Sequence, residues 1–184
     1  MAHTLISHML GVPSFVKFIN QLLFFEVSSN LDEVNLLASF SREIVIDAPV
    51  DEVWKVLADI GIVHEWSPNI ASSNVTTDKS TDLGARRHCN LDGGNYLDEE
   101  VVEWDVNKRL TMRIIGTDLP IKTADFRFTL NAKNGVTVVT ISPEYRLKFG
   151  FGGMILDLLM VRRTYVKNMN DLLNGLKHYI EKKK

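Results

Sequence analysis

The sequence predicts an α+β protein in which one antiparallel sheet packs against a long C-terminal helix. The predicted elements run in the order strand, two helices, six strands, long helix, and helices and strands do not alternate. This order excludes a parallel α/β sheet. Asn134-Gly135 lies between two alternating runs, which is the strongest short-range signal for a β-hairpin.

The C-terminal helix is predicted over about residues 153–180. Its apolar residues recur at steps of three and four, as on one buried helix face; they are Leu158, Val161, Tyr165, Met169, Leu172, Leu176 and Ile180. At 1.5 Å per residue the helix spans roughly 40 Å and needs a continuous apolar partner. Only a curved sheet of the preceding strands can supply it. The wide, soft residues Tyr165 and Met169 either fill a core or cover a cavity.

The first strand is predicted at residues 40–47, and Pro49 favours the start of a helix directly after it. A second short helix is predicted at 59–66, because Ser67-Pro68 stops it. Six further strands follow, separated by turn residues; their predicted ranges are 70–77, 84–91, 96–105, 110–116, 123–131 and 136–147.

Composition narrows the class of protein. The chain has 184 residues, enough for one domain with a real core, and its net charge of −2 gives no basis for nucleic-acid binding. A single cysteine, Cys89, excludes an internal disulfide framework and favours a reducing compartment, which predicts a cytoplasmic protein. The five histidines lack metal-ligand spacing, and no cofactor motif is present, so neither a metal nor a cofactor is predicted.

Residues 1–39 are predicted to be a partly helical extension that precedes a domain at residues 40–184. The apolar run at 9–27 is interrupted by Pro13, Lys17 and Asn20 and falls short of a membrane span. Its apolar residues can form a helix face that docks on the domain, on a second subunit or partner protein, or on a membrane surface. Because it lacks a basic face, docking on protein is favoured over membrane contact.

Several segments resemble the helix-grip (SRPBCC) superfamily, which includes START domains, birch-pollen-allergen-like proteins, polyketide cyclase/dehydrase-like proteins and the plant abscisic acid receptors. Within it they resemble the polyketide cyclase/dehydrase-like branch that is related to those receptors. They are IDAPVDEVWKVLADI, VHEWSP, GARRHCNLDGG, EEVVEWDVNKRLTMRIIG and LLNGLKHYIE, and they cover about residues 40–184. The resemblance implies a seven-stranded antiparallel sheet that curls around the C-terminal helix and leaves an internal pocket. It does not imply one activity, because one fold hosts many functions.

The same resemblance implies candidate ligand-binding residues. Arg87 and Glu100 match positions that face the pocket of the abscisic acid receptors and orient a polar ligand group. Trp66 fits either the pocket mouth or rim packing. The remaining predicted lining residues are Cys89, Leu91, Met112, Ile114, Ile121, Phe126, Ile141, Tyr145, Val161, Tyr165 and Met169.

The chain departs from the receptors in three places. Their gate loop corresponds to residues 91–95, their latch histidine to Leu119, and a second pocket glutamate to Ile141. These departures argue against a hormone-gated phosphatase inhibitor.

Three functions follow as hypotheses. The first is binding or carriage of a small hydrophobic molecule such as a lipid, polyketide or isoprenoid-like compound. The second is a cyclase or dehydratase in which Glu100 or Tyr165 moves protons and Arg87 polarises a carbonyl. The third is an interaction platform that recruits a partner through residues 1–39. An Arg87–Glu100 pair is either a self-satisfied ion pair or a ligand anchor.

Overall fold

The computed structural model describes residues 38–147 and 162–182. Within these ranges the strands are β1 (Ala38–Ser39), β2 (Arg42–Ile46), β3 (Ile70–Val75), β4 (Arg86–Leu91), β5 (Tyr96–Asp105), β6 (Arg109–Thr117), β7 (Ile121–Lys133) and β8 (Val136–Leu147). The helices are α1 (Val50–Ala58), a 3₁₀ turn (Ile60–Ile62), α2 (Val63–Trp66) and α3 (Arg162–Glu181). The predicted α+β class and order of elements are confirmed.

All strand pairs of the described sheet are antiparallel, and β3 to β8 follow one another as a meander. Both β1 and β2 pair with β8, with Ala38 opposite Tyr145 and Arg42 opposite Ile141. They therefore occupy one edge position in succession, and the described sheet has the seven strand positions that were predicted. The first strand begins at Ala38, two residues before the predicted start, and is interrupted at 40–41.

The Asn134-Gly135 turn joins β7 to β8 as predicted. Both residues have positive φ, 51° and 84°, which is the backbone that a two-residue type I′ hairpin needs. The turn starts a ladder of paired residues that runs from Lys133 and Val136 to Ile121 and Leu147. This long hairpin supplies one side of the sheet.

The outer face of the sheet, which points away from α3, carries charged residues in register. Arg86 lies opposite Glu100, Glu100 opposite Arg113, and Arg113 opposite Asp125 on four adjacent strands. Arg86 Nε donates to Glu100 Oε2 at 2.7 Å, and Arg113 Nη2 donates to Asp125 Oδ2 at 2.7 Å. Opposite charges in direct cross-strand positions stabilise a sheet modestly. They also leave the other face, the inner face, for apolar side chains.

Helix α3 packs on this inner face through a narrow apolar stripe. Met169, Leu173, Leu176 and Ile180 are buried, whereas Leu172 is half-buried. The predicted stripe included Met169, Leu176 and Ile180 but missed Leu173. The predicted start of the helix at residue 153, with Leu158 and Val161, lies outside the described residues.

The contact between α3 and the end of α2 depends on Gly175. A Cβ atom at this position would overlap the backbone carbonyl oxygen of Trp66 and lie 3.3 Å from Pro68 Cδ. Glycine in a helix interior costs about 1 kcal/mol relative to alanine, so close approach explains its presence here. Nearby, Tyr179 Oη donates a hydrogen bond to Glu65 Oε2 at 2.5 Å. These contacts fix Trp66 against α3.

We expect Gly175→Ala to destabilise the protein despite the better helix propensity of alanine. The clash is with backbone rather than with a flexible side chain, and overpacking typically costs about 1–3 kcal/mol. For a chain of this size each kcal/mol lowers the melting temperature by about 2–4 °C. Asn174→Ala, at the exposed neighbouring position, is the control and should leave the melting temperature unchanged or raise it. Equal melting curves for Gly175→Ala and the wild type would contradict the packing described.

Candidate functional site

A cavity of about 330 Å³ lies between the inner face of the sheet and the N-terminal half of the described part of α3. Its volume is at the lower end of the range for ligand pockets, about 300–1,000 Å³. Most of its wall is apolar: Leu57, Val63, Trp66, Ile70, Leu91, Leu97, Leu110, Met112, Ile114, Leu119, Ile121, Phe126, Phe128, Met169 and Leu172. Arg87, Glu99 and Tyr165 add polar groups to this wall. The β4–β5 turn adds the polar residues Asp92 and Asn95.

Many of the residues proposed from the sequence line this cavity. They are Trp66, Arg87, Leu91, Met112, Ile114, Ile121, Phe126, Tyr165 and Met169. Strand alternation brings the β4 and β6 residues onto one face, and helical spacing brings Tyr165 and Met169 onto one side of α3.

Other proposed lining residues lie elsewhere. Ile141 is fully buried in the solid core, and Cys89 is buried beside Glu99. Tyr145 is buried and stacks on Tyr165, with ring centroids 4.7 Å apart and an angle of 17° between the rings. Tyr145 therefore supports a cavity residue without lining the cavity itself. Val161 lies outside the described residues.

The predicted Arg87–Glu100 pair is wrong, because Arg87 pairs with Glu99. The β4–β5 hairpin sets Arg87 opposite Glu99 and Arg86 opposite Glu100. Glu100 consequently lies on the outer face, where its side chain is 25% exposed and bound to Arg86. The sequence contained a signal for this register, since Leu97 and Val101 flank Glu99 at the spacing of one strand face.

The Arg87–Glu99 pair is buried in the cavity wall. Arg87 Nε donates to Glu99 Oε2 at 2.7 Å, and Arg87 Nη1 donates to the carbonyl oxygen of Ile60 at 3.1 Å. Only 9% of the Arg87 side chain and 5% of the Glu99 side chain are exposed. Burial is the largest single cause and opposes the charge on Arg87, but the attraction of Glu99 and Cys89 and the hydrogen bond to Glu99 together keep the pKa of Arg87 above its ordinary value. Arg87 is therefore cationic within an apolar wall.

Cys89 does not provide a nucleophile at neutral pH. The pKa of the Cys89 thiol is raised to about 12, and burial is the largest cause of this shift. The thiol Sγ lies 3.7 Å from Glu99 Oε2, as a weak donor to the carboxylate. Because only the thiolate is strongly nucleophilic, Cys89 contributes packing and this one contact.

The β4–β5 turn and the β6–β7 loop meet at one end of the cavity. Asn95 Nδ2 and the backbone N–H of Tyr96 both donate to the carboxylate of Asp118, each at 3.1 Å. Leu91 and Leu119, next to these contacts, line the cavity. Asp118 therefore holds together two loops whose apolar residues form part of the wall.

Sequence reasoning missed several lining residues. Besides Glu99 they include Leu57, Val63, Ser67, Asn69, Ile70, Asp92, Gly93, Asn95, Leu97, Leu110, Leu119, Phe128, Asn168 and Leu172. Asn168 follows Tyr165 by three residues and precedes Leu172 by four, so helical spacing could have placed it with them. An amide side chain in an amphipathic helix is typical of a solvent-facing position, so the helical spacing of Asn168 was not recognised.

His88 lies on the outer face, away from the cavity, as the alternation of β4 predicts. Its Nδ1 lies 2.7 Å from Asp98 Oδ1 and its Nε2 lies 3.3 Å from Asn90 Oδ1, while its ring stacks on Tyr96. The hydrogen bond to Asp98 is the main cause that raises the pKa of His88. The pair is partly exposed. It stabilises the outer surface of the sheet and does not line the cavity.

The sequence matches the profile of the family described as "Polyketide cyclase / dehydrase and lipid transport" over residues 38–181. The chain belongs to this family. Among solved structures, the Zhui aromatase/cyclase from Streptomyces sp. R1128 aligns with a TM-score of 0.68 and 14% identity, over 79% of this chain and 94% of that one. No curated protein matches the sequence.

Two further solved structures show the same fold. A START superfamily protein from Mycobacterium smegmatis has a TM-score of 0.67 and 13% identity, over 79% of this chain and 99% of that chain. Ginseng major latex-like protein 151 from Panax ginseng has a TM-score of 0.66 and 17% identity, over 79% and 98%. The helix-grip fold is therefore confirmed, whereas closeness to the abscisic acid receptors stays a prediction.

Two structural findings bear on other classes of site. No helix in the described part of the chain is long and apolar enough to cross a membrane. Across residues 38–147 and 162–182, no group of three or more His, Cys, Asp or Glu side chains is arranged to hold a metal ion.

We expect Asp98→Asn to lower the pKa of His88 toward its ordinary value of about 6.5. The raised pKa means that the pair stabilises the fold below the unfolded-state pKa, and that this stabilisation is lost as pH rises through the folded-state pKa. Wild type and Asp98→Asn should thus differ more in unfolding free energy at pH 5.5 than at pH 8. A nuclear magnetic resonance titration of His88, with Asp105→Asn as control, gives the pKa directly. An unchanged His88 pKa in Asp98→Asn would contradict this account.

Proposed function

We propose that the protein binds or carries a small hydrophobic molecule in the cavity beneath α3. The observation that carries this proposal is the cavity itself, which is mainly apolar and has one buried ion pair in its wall. Protein interiors normally contain few voids larger than a water molecule. A volume of about 330 Å³ is far above the roughly 10–15 Å³ that one water needs. An opening of this size favours a ligand site over a packing defect.

The chemistry of the wall supports an apolar ligand. Burial of apolar ligand surface is favourable by about 25 cal/mol per Å², and the wall presents aliphatic and aromatic side chains to gain it. Met112 and Met169 are flexible and polarisable, and such side chains adapt to ligands of irregular shape. The family description includes lipid transport, which agrees with this chemistry.

A cyclase or dehydratase activity is the second candidate, and a specific arrangement favours it. Glu99 and Tyr165, which can both exchange protons, line the same cavity as the cationic Arg87. Glu99 takes the role that the sequence gave to Glu100. General acid–base catalysis by a positioned side chain typically contributes about 10²–10⁴-fold in rate. The cavity thus offers the groups to polarise and enolise a carbonyl compound.

Tyr165→Phe separates these two candidates. It removes one hydroxyl and leaves the apolar ring, so a carrier should keep its affinity for an apolar dye. An enzyme that uses Tyr165 should lose about 10²-fold or more of its turnover of a poly-carbonyl substrate. Glu100→Gln, on the outer face, is the control and should change neither property. Full turnover by Tyr165→Phe would remove Tyr165 from the catalytic proposal, and no turnover by the wild type would end the enzyme proposal.

The interaction-platform hypothesis depends on residues 1–39. Residues 1–37 lie outside the described residues, so a partner or a homodimer formed through this segment stays a prediction. Sizing of the full chain against a chain that lacks residues 1–37 tests it.

We expect Met169→Trp to abolish ligand binding with little loss of stability. Met169 lies on α3 with its side chain at the cavity, so the larger indole should occupy space that a ligand would use. Affinity for N-phenyl-1-naphthylamine, a neutral fluorescent dye, should weaken at least tenfold. Overpacking of a full core typically costs about 1–3 kcal/mol, and each kcal/mol lowers the melting temperature by about 2–4 °C. The melting temperature of Met169→Trp should therefore fall by less than about 2 °C.

The matched control is Asn170→Trp, at the exposed neighbouring position of α3. It adds the same side chain outside the cavity and should bind the dye as the wild type does. A clearly destabilised Met169→Trp protein that still binds the dye would place dye binding elsewhere and contradict the proposal.

A further inference from the structure

Two polar atoms of the buried Arg87–Glu99 pair have no hydrogen-bond partner among the described residues. Arg87 uses Nε toward Glu99 and Nη1 toward the Ile60 carbonyl, which leaves Nη2. Glu99 accepts from Arg87 and Cys89 through Oε2, which leaves Oε1. Both side chains are more than nine-tenths buried and line the cavity. Both atoms retain some accessible surface, and because the two side chains line the cavity, these atoms are candidates to recognise a ligand.

The charges around these atoms select against an ionised ligand. Arg87 and Glu99 cancel each other, and Asp92 is the remaining charged residue on the described wall. A carboxylate ligand would approach Arg87 but add a second negative charge beside Glu99. An ammonium ligand would have the opposite conflict with Arg87. An uncompensated charge in an apolar cavity is costly, so the site favours a neutral polar group.

The available atoms also favour one kind of neutral group. Nη2 can only donate a hydrogen bond and the ionised Glu99 can only accept one. A ketone or an ether accepts from Arg87 but leaves Glu99 unsatisfied. A hydroxyl group accepts from Arg87 and donates to Glu99 at the same time.

We infer that the ligand is an uncharged, mainly apolar molecule with an alcohol or phenol hydroxyl that bridges Arg87 Nη2 and Glu99 Oε1. This inference rests on the proposed binding function and adds the chemical class of the ligand. The hydroxyl completes the hydrogen bonding of the pair, and the rest of the molecule lies against the apolar wall. Molecules of the same size without a hydroxyl bind more weakly because they leave the pair incomplete.

Three probes with eight carbon atoms test the inference by displacement of N-phenyl-1-naphthylamine. Octan-1-ol can donate and accept a hydrogen bond. Its isomer 1-methoxyheptane can only accept one, and octanoate is charged. The wild type should bind octan-1-ol at least tenfold more tightly than either of the others. The ether is the decisive comparison, because it matches the alcohol in size and is no more polar.

Variants of the pair then identify the groups that make this preference. Glu99→Gln leaves Arg87 without a countercharge. The affinity for octanoate should therefore rise at least tenfold relative to the affinity for octan-1-ol. Glu100→Gln makes the same chemical change on the outer face and should keep the wild-type preferences. Since Glu99→Gln leaves a buried charge unpaired and can fail to fold, the double variant Arg87→Met/Glu99→Leu removes both charges at similar volume. In it the difference between alcohol and ether should disappear.

The outcomes separate this inference from the proposed function. If neither the dye nor any probe binds the wild type, the proposed function fails. If the three probes bind with equal affinity, or if the double variant keeps the preference for the alcohol, the inference is wrong while the binding function stands. Tighter binding of octanoate than of octan-1-ol by the wild type would also overturn it.

Discussion

One helix, α3, has to cover the inner face of a sheet with seven strand positions. This constraint determines where the interior is filled by side chains and where it stays open. The stripe of α3 is narrow, and towards its C-terminal end Leu173, Leu176 and Ile180 are almost fully buried against β2, α1 and α2. Gly175 allows the closest approach there. Towards its N-terminal end Tyr165 and Met169 border open space. The same helix thus packs on a solid core at its C-terminal end and lines a cavity towards its N-terminal end.

The Arg87–Glu99 pair is the polar exception within this interior. Its hydrogen bond to the Ile60 carbonyl ties β4 and β5 to the 3₁₀ turn between the short helices. Loss of one member of a buried pair typically costs 3–5 kcal/mol, whereas replacement of both members by apolar residues is often neutral. The pair also presents a donor and an acceptor at the cavity, which agrees with the proposed role in ligand recognition.

Much of the fold could be predicted from local patterns, and much of the site could not. The Asn134-Gly135 turn and the helical apolar spacing are set by a few neighbouring residues, so the sheet order and α3 were predictable. The Arg87 partner depends on the register of the β4–β5 hairpin, and a shift of one residue moves a glutamate to the opposite face. The resemblance selected Glu100, while the alternation around Glu99 indicated the actual partner. Asn168 has the helical spacing of a cavity residue, but its amide side chain is typical of a solvent-facing position, so it was missed.

The most direct test of the central claim is a methyl nuclear magnetic resonance titration of the full chain with N-phenyl-1-naphthylamine. The aromatic rings of this dye shift the resonances of methyl groups that they contact. We predict large shifts for Met112, Ile114, Ile121 and Met169, which line the cavity, and small ones for Ile141 and Ile180, which lie in the solid core. Shifts restricted to other methyl groups, or equal shifts in the cavity and the solid core, would contradict a ligand site beneath α3.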